Sequence, residues 1–296
     1  MTVHRITEND KMPAPSIRVG LVGAGIQASL TPRMHEEEGS AQGLDYRYEL
    51  IDLDVLGLSA KALPEILGDA ERRGLSGLNV TFPCKQRVIP ELDELSPDAR
   101  AIGAVNTVVF KDGRRLGFNT DWTGFAESFR RNLDDTARGR VVQFGAGGAG
   151  AAVAHALLTL DVGELAIVDI DRERARDLAS ALCARFGAGR AVAVENPADV
   201  LIAADGLVNT TPVGMAKFPG MVLPKEALRR ELWVAEIVYF PLETELLRVA
   251  RRLGCRTMSG AGMAVFQAAK AFELFCGIAP NVERMLAHFE RMARDL

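Results

Sequence analysis

Cysteine and histidine are scarce. Among 296 residues there are four cysteines, Cys84, Cys183, Cys255 and Cys276, and four histidines. They lie far apart and form no CxxC, so no dedicated zinc site is expected and a reducing compartment, the cytoplasm, is the natural one. Long apolar runs are missing too. None approaches the roughly 18 residues a membrane span needs. The opening MTVHRITENDKMPAPS is polar, without the apolar core of a secretory signal, and reads as a mobile arm ahead of the first strand. Basic blocks are also absent: 35 Lys plus Arg stand against 39 Asp plus Glu, a net charge of −4, which argues against nucleic acid as a partner. What remains is 48% hydrophobic and 25% charged, a chain able to bury a sizeable core. Its length suggests two domains at about 150 residues each.

Strand and helix patterns alternate. Strands are expected at Ile17–Val22, Tyr46–Ile51 and Leu75–Val80, with Thr31 as N-cap of a helix that has Pro32 at its first position and a further helix over Ala60–Arg73. Val105–Phe110 and Arg115–Asn119 flank the Asp112-Gly113 turn as a hairpin, and a helix follows at Thr123–Asn132. The polar stretch Leu133–Gly139 breaks the pattern, and a domain boundary is expected nearby. A second series then begins: strands Val141–Phe144, Glu164–Ile170, Ala191–Val194, Gly206–Asn209, Trp233–Val238 and Cys255–Met258 alternate with helices, two of which close the chain. Such alternation predicts α/β architecture with mostly parallel sheets.

Two kinds of motif carry chemistry. The first is GAGGAG, Gly145-Ala146-Gly147-Gly148-Ala149-Gly150, placed between a strand and a helix. In that setting it fits a dinucleotide-binding turn: Gly145 permits the tight turn, Gly147 admits a pyrophosphate, and Gly150 lets the helix pack on the sheet. A Gly-rich junction without ligand is the plain alternative. Asp169 follows 24 positions after Gly145, at the end of the next strand. A carboxylate there accepts ribose hydroxyls of NAD and repels the extra phosphate of NADP, whereas Arg172 and Arg174 favour that phosphate. The carboxylate is the nearer group, and NAD is the expected cofactor. The second kind is a set of polar clusters at element ends: Ser29-Leu30-Thr31-Pro32, Asn79-Val80-Thr81, Lys85, Asn106-Thr107 and Asn119-Thr120-Asp121. Each alone reads equally as a cap or turn. Together they suggest one pocket of hydroxyls, amides, a cation and a carboxylate, suited to a small polyhydroxylated acid.

These motifs, SLTPRMH, NVTFPCK, GAVNT, GFNTDWTGF, GAGGAG, NTTPVGM, YFPLETELL and GAGMAVFQAAKAF, together resemble the shikimate dehydrogenase family, and within it the NAD-using quinate/shikimate dehydrogenases. The resemblance runs from about Ile17 to Gly277. It implies two domains: an N-terminal α/β substrate domain, 1–125, completed by C-terminal helices of about 263–296, and a Rossmann-like dinucleotide-binding domain with a parallel sheet, 126–262. It implies that Lys85 and Asp121 are the catalytic pair and that Ser29 and Thr31 hold the substrate carboxylate. Thr81, Asn106 and Gln267 would bind ring hydroxyls, with Tyr239 beside the substrate. Gly145 to Gly150 would hold the pyrophosphate, and Asp169 and Arg172 would flank the ribose. Thr210, Ile237, Gly260 and Met263 would line the cofactor. The implied activity is NAD-dependent oxidation of shikimate to 3-dehydroshikimate, a step of aromatic amino acid biosynthesis. Quinate or an aminated shikimate are alternative substrates, and a non-catalytic dinucleotide-responsive protein is a different class on the same fold. The partner is therefore a small cyclic polyol carboxylate; the chain is expected to be a monomer or homodimer, without metal, membrane or nucleic acid.

Four departures from the family pattern bear on this. Asp169-Ile170-Asp171-Arg172 replaces the Asn-Arg-Thr type segment of NADP-dependent members. Thr31 stands where shikimate-selective members have Ser, Ala28 replaces a common His, and Glu236 replaces a usual Asp. The chemistry itself needs a proton acceptor for the alcohol beside a hydride acceptor. A lysine made more acidic by burial or a nearby cation can be that base, returning the proton in reverse, with Asp121 orienting it.

Overall fold

The computed structural model describes residues 16–294; the expected N-terminal arm lies outside them. Among the described residues, twelve strands form two sheets of six. The first holds β1 (Ser16–Gly23), β2 (Asp45–Asp52), β3 (Gly77–Val80), β4 (Glu94–Leu95), β5 (Thr107–Lys111) and β6 (Arg114–Phe118), in the order β2-β1-β3-β5-β6-β4. Here β1 runs parallel to β2 and β3, and β5 runs antiparallel to β3 and β6. The second holds β7 (Arg140–Phe144), β8 (Glu164–Val168), β9 (Ala191–Ala193), β10 (Gly206–Asn209), β11 (Trp233–Glu236) and β12 (Thr257–Met258). It is wholly parallel, ordered β12-β11-β10-β7-β8-β9. That is the doubly wound order, in which β7 and β10 adjoin at the switch point where ligands bind.

The helices are α1 (Thr31–Ala41), α2 (Leu53–Leu56), α3 (Leu63–Arg72), α4 (Pro97–Ile102), α5 (Asp121–Leu133), α6 (Gly148–Thr159), α7 (Arg172–Phe186), α8 (Ala198–Leu201), α9 (Glu245–Leu253), α10 (Gly260–Cys276) and α11 (Val282–Arg294). The hairpin forms as expected, with Asp112 and Gly113 both at positive φ. Other local expectations are corrected. Leu30, not Thr31, occupies the N-cap of α1, and no side chain caps it. The expected Ala60–Arg73 helix is a 3-10 turn, Ala60–Ala62, followed by α3, because Pro64 enters at the start of a fresh helix. The short elements α2, β4 and α4 have too few residues to show a period. The junction expected at 125/126 falls inside α5, which runs unbroken to Leu133.

Helices α5 and α10 lie side by side, and α10 reaches from one sheet to the other. Phe125, Phe129 and Met263 belong to the core under the second sheet, and Ala271, Phe272 and Phe275 to the core under the first. Their close approach depends on Gly124, where a Cβ would stand 2.6 Å from Met263 O and 2.7 Å from Gln267 N. Helix α11 packs on α1 and α10 through Met285, Phe289 and Met292. Charge fixes it as well: Arg284 Nε is 2.7 Å from Glu38 Oε2, a carboxylate buried to 1%, and Asn281 N donates to Glu38 Oε1 at 2.8 Å. Removing the guanidinium would leave that carboxylate with weaker donors. Arg284→Ala should therefore lower the midpoint of chemical denaturation, because the buried carboxylate loses its charged donor; an unchanged midpoint would refute the role of the pair.

Candidate active site

Five stretches of the first half meet at one end of the first sheet. The turn after β3 carries Thr81 and Lys85; Thr81 N bonds Val22 O at the end of β1, and Gly23 leaves room for the Thr81 methyl, 2.3 Å from where its own Cβ would lie. Lys85 O receives Val105 N at 2.8 Å, which ties the lysine turn to the segment entering β5. Lys85 Nζ lies 2.6 Å from Asp121 Oδ2, with side chains 20% and 9% exposed. Asp121 opens α5, so its backbone N–H has no partner within the helix; Asn119 Oδ1 accepts it at 3.1 Å. The other carboxylate oxygen, Oδ1, accepts from Asn106 Nδ2 at 3.0 Å. Of the two conditions named for a basic lysine, burial or a nearby cation, no cation stands among these contacts; the partner of Lys85 is the carboxylate.

Of the other expected residues, Tyr239 lies near the charge of Asp121, and Gln267 adjoins Gly124, three residues along α5. Ser29 and Thr31 are half-buried at the start of α1, where Ser29 Oγ accepts Thr31 N at 3.3 Å. Tyr239, 37% exposed, follows β11; burial and the nearby charge of Asp121 push its hydroxyl pKa above the ordinary value. Its ring meets Phe240 and, 6.3 Å away between centroids, Phe289 of α11. Gln267 is half-buried on α10, its Nε2 turned back to Ala264 O at 3.0 Å. Sequence reasoning missed Gly124 and Phe289. A glycine inside a helix costs about 1 kcal/mol relative to alanine, so Gly124 was a readable signal of close packing. Nothing in the spacing of Phe289 says that it backs Tyr239.

The Gly-rich turn faces the pair. Gly145 has φ 103°, and a Cβ there would stand 2.6 Å from Thr210 Oγ1; one on Gly150 would stand 2.4 Å from Gly145 O. Gly147 meets nothing within 4 Å, and a Cβ on Gly148 would stand 4.0 Å from Lys85 Cδ. Helix α6 starts without a side-chain cap, leaving free N–H groups over an open backbone, which fits a pyrophosphate. Thr210 closes the floor, bonding Phe144 O at 2.7 Å and Gly145 O at 2.9 Å. Gly260 abuts the Ile237 backbone, and Met263 is buried beyond it.

Asp169 lies one residue past β8. Its Oδ2 accepts Ala146 N at 2.7 Å and its Oδ1 accepts Asp171 N at 2.8 Å, so it shapes the turn from beside it. Arg172 is turned to Glu195, 2.9 Å away, and Arg174 to Asp171, 3.0 Å away. Ile170 is fully exposed.

The Shikimate dehydrogenase substrate binding domain profile matches residues 21–108. A Shikimate dehydrogenase (NADP(+)) of Streptomyces avermitilis is 56% identical over 284 residues, 95% of this chain and 98% of that protein. The chain belongs to the shikimate dehydrogenase family. It is thus an oxidoreductase with a substrate-binding domain and a Rossmann-like domain. A Quinate/shikimate dehydrogenase (NAD(+)) of Corynebacterium efficiens is 47% identical, covering 93% of this chain and 98% of its own. The crystal structure of quinate dehydrogenase from Corynebacterium glutamicum in complex with NAD superposes with a TM-score of 0.89 at 44% identity, covering 94% of this chain and 99% of that one. Among the described residues no helix is long and apolar enough to cross a membrane, and no three His, Cys, Asp or Glu side chains gather as metal ligands.

Glu236, the family departure at the end of β11, is fully buried. It accepts from Asn209 Nδ2 at 3.0 Å, Val238 N at 3.0 Å and Thr244 Oγ1 at 3.2 Å, so it knots the loops after β10 and β11 together. Burial, only partly offset by these donors, pushes its pKa up to about 7. In the unfolded chain the group ionises near the ordinary value of 4.5. Between these values the native state holds the proton and the unfolded state does not, so stability falls as pH rises through this window. Glu236→Gln should abolish that component, up to about 3 kcal/mol, measured as the difference between denaturation at pH 5 and pH 8. An identical pH dependence in the variant would contradict the assignment.

Proposed function

We propose that the protein oxidises a cyclic polyol carboxylate with NAD, and that shikimate to 3-dehydroshikimate is its leading reaction. The observation that carries this reading is the 2.6 Å contact between Lys85 and Asp121, set against the open Gly148 turn. When bound, NAD supplies the hydride acceptor. Lys85 Nζ takes the hydroxyl proton during oxidation and returns it during reduction. Asp121 orients the lysine and balances its charge. Ser29 and Thr31 hold the substrate carboxylate through their hydroxyls at the start of α1. Thr81, Asn106 and Gln267 surround the ring, and Tyr239 closes over it. The two sheets thus serve as a substrate lobe and a cofactor lobe, with α10 and α11 completing the former. Quinate is the second substrate, supported by Thr31 and by the likeness to quinate dehydrogenase. A non-catalytic dinucleotide sensor has no use for a Lys85–Asp121 pair; NADH formation with shikimate separates the two.

Relatives are named for NADP(+) and for NAD(+), so the cofactor reading rests on this chain's own residues. Around the ribose end stand the carboxylates of Asp169, Asp171 and Glu195, and the nearby arginines Arg172 and Arg174 are already paired with two of them. A phosphate there would face repulsion without a free cation.

Lys85→Ala should lower kcat by at least about a hundredfold, the scale of losing a general acid/base, while NAD binding is unchanged. A variant of near-normal kcat would sink the role. For the wild type, kcat/KM with NAD should exceed that with NADP by at least about tenfold, or ~1.4 kcal/mol. Glu195→Gln should free Arg172 and narrow the ratio, mainly through better use of NADP. Initial rates with both cofactors at one shikimate concentration test this, and a wild type that prefers NADP overturns it.

A further inference from the structure

Behind the Lys85–Asp121 pair lies a row of buried polar side chains that the proposed mechanism leaves without a task. The antiparallel register of β3 and β5 sets Asn79 opposite Thr107, and Tyr48 reaches the same spot from β2. All three are buried, as is Asn106. Tyr48 Oη donates to Asn79 Oδ1 at 2.7 Å. Asn79 Nδ2 donates to Thr107 Oγ1 at 3.0 Å and more distantly to Asn106 O at 3.3 Å. Thr107 Oγ1 donates to Asn106 Oδ1 at 3.1 Å, and Asn106 Nδ2 donates to Asp121 Oδ1 at 3.0 Å and Thr120 Oγ1 at 2.9 Å.

Two backbone groups fix the direction of the whole row. Thr120 N, which can only donate, lies 2.7 Å from one end of the Asn106 amide, so that end is the oxygen and the NH2 must face Asp121. The Asn106 carbonyl, which can only accept, lies beside one end of the Asn79 amide, so that end is the NH2 and the oxygen faces Tyr48. Tyr48 must then donate. Burial pushes its pKa well above the ordinary value, so its hydroxyl keeps the proton it gives. Thr107, which receives from Asn79, has its own proton free for Asn106. Buried polar groups are costly unless satisfied, and a row of bonds pointing one way polarises each member.

We propose that Tyr48, Asn79 and Thr107 are positioning residues for the reaction: they lock the Asn106 amide so that it presents a donor, never an acceptor, to Asp121. The Asn106 oxygen turned toward Asp121 would repel the carboxylate and draw it off Lys85. The relay rests on the reading of Lys85 and Asp121 as the catalytic pair. Its members touch neither substrate nor cofactor in that reading; they act through Asn106.

The test is the steady-state kinetics of shikimate oxidation with NAD for Thr107→Val, which removes the hydroxyl at nearly constant volume, and Thr107→Ser, which retains it. The valine variant should lose on the order of tenfold in kcat, the scale of a small misplacement of reacting groups, with KM for NAD unchanged. The serine variant should recover most of that loss, which a purely structural role for the side chain would not produce. A folded Thr107→Val of wild-type kcat overturns the proposal. Should that variant fail to fold, Tyr48→Phe, which removes one hydroxyl at the far end, carries the test: a reproducible fall in kcat with normal KM for NAD supports the relay, and unchanged kcat overturns it. Lys85→Ala assayed alongside separates the two readings. If it is inactive while Thr107→Val is normal, the relay alone fails; if it is active, the catalytic pair fails and the relay falls with it.

Discussion

A carboxylate shut away from water needs donors, and Asp121 draws them from two separate stretches of chain, while its backbone N–H is held by a third group. Lys85 comes from the turn after β3, Asn106 from the entry to β5, and Asn119 holds the backbone N–H where α5 begins. An unpaired charge at that depth would cost several kcal/mol, so the first sheet must deliver Lys85 and Asn106 together or not at all. Much of its local architecture answers to this demand. Gly23 gives up its side chain so that Thr81 can sit at the end of β1, and Val105 N pins the backbone of Lys85.

The cofactor side is built on a steric rather than an electrostatic constraint. Gly145 and Gly150 are fixed by contacts that no Cβ would survive, whereas Gly147 is bare because its surroundings are open. The three positions of one motif therefore answer to different forces: backbone conformation, helix packing and room for a ligand. Asp169 adds a fourth part. By accepting Ala146 N it ties the chain after β8 to the shape of the Gly-rich turn.

The alternation of strands and helices was legible, and β10 has the bounds read from the sequence. So were the chemical groups, because Lys85, Asp121, Asn106 and the Gly-rich turn sit in motifs with few structural uses. Three things were not. Short elements such as α2 and β4 carry no period. Side-chain commitments, such as Arg172 turned to Glu195, depend on residues 23 positions away and leave no local mark. The direction of the Asn79 and Asn106 amides is set by backbone groups that every sequence has, so no motif can announce it.

The pairing of α5 with α10 has a mechanical consequence. Helix α10 contributes to the cores under both sheets and α5 packs against it, so no slack linker joins the two halves. Any change of angle between the sheets must be absorbed as sliding between packed helices, a shear rather than a swing on a free hinge. At Gly124 the two backbones touch, only three residues from Asp121 and against Gln267 itself. The point that resists sliding most therefore stands beside the substrate groups, and the sheets would turn about the chemistry while its spacing is kept.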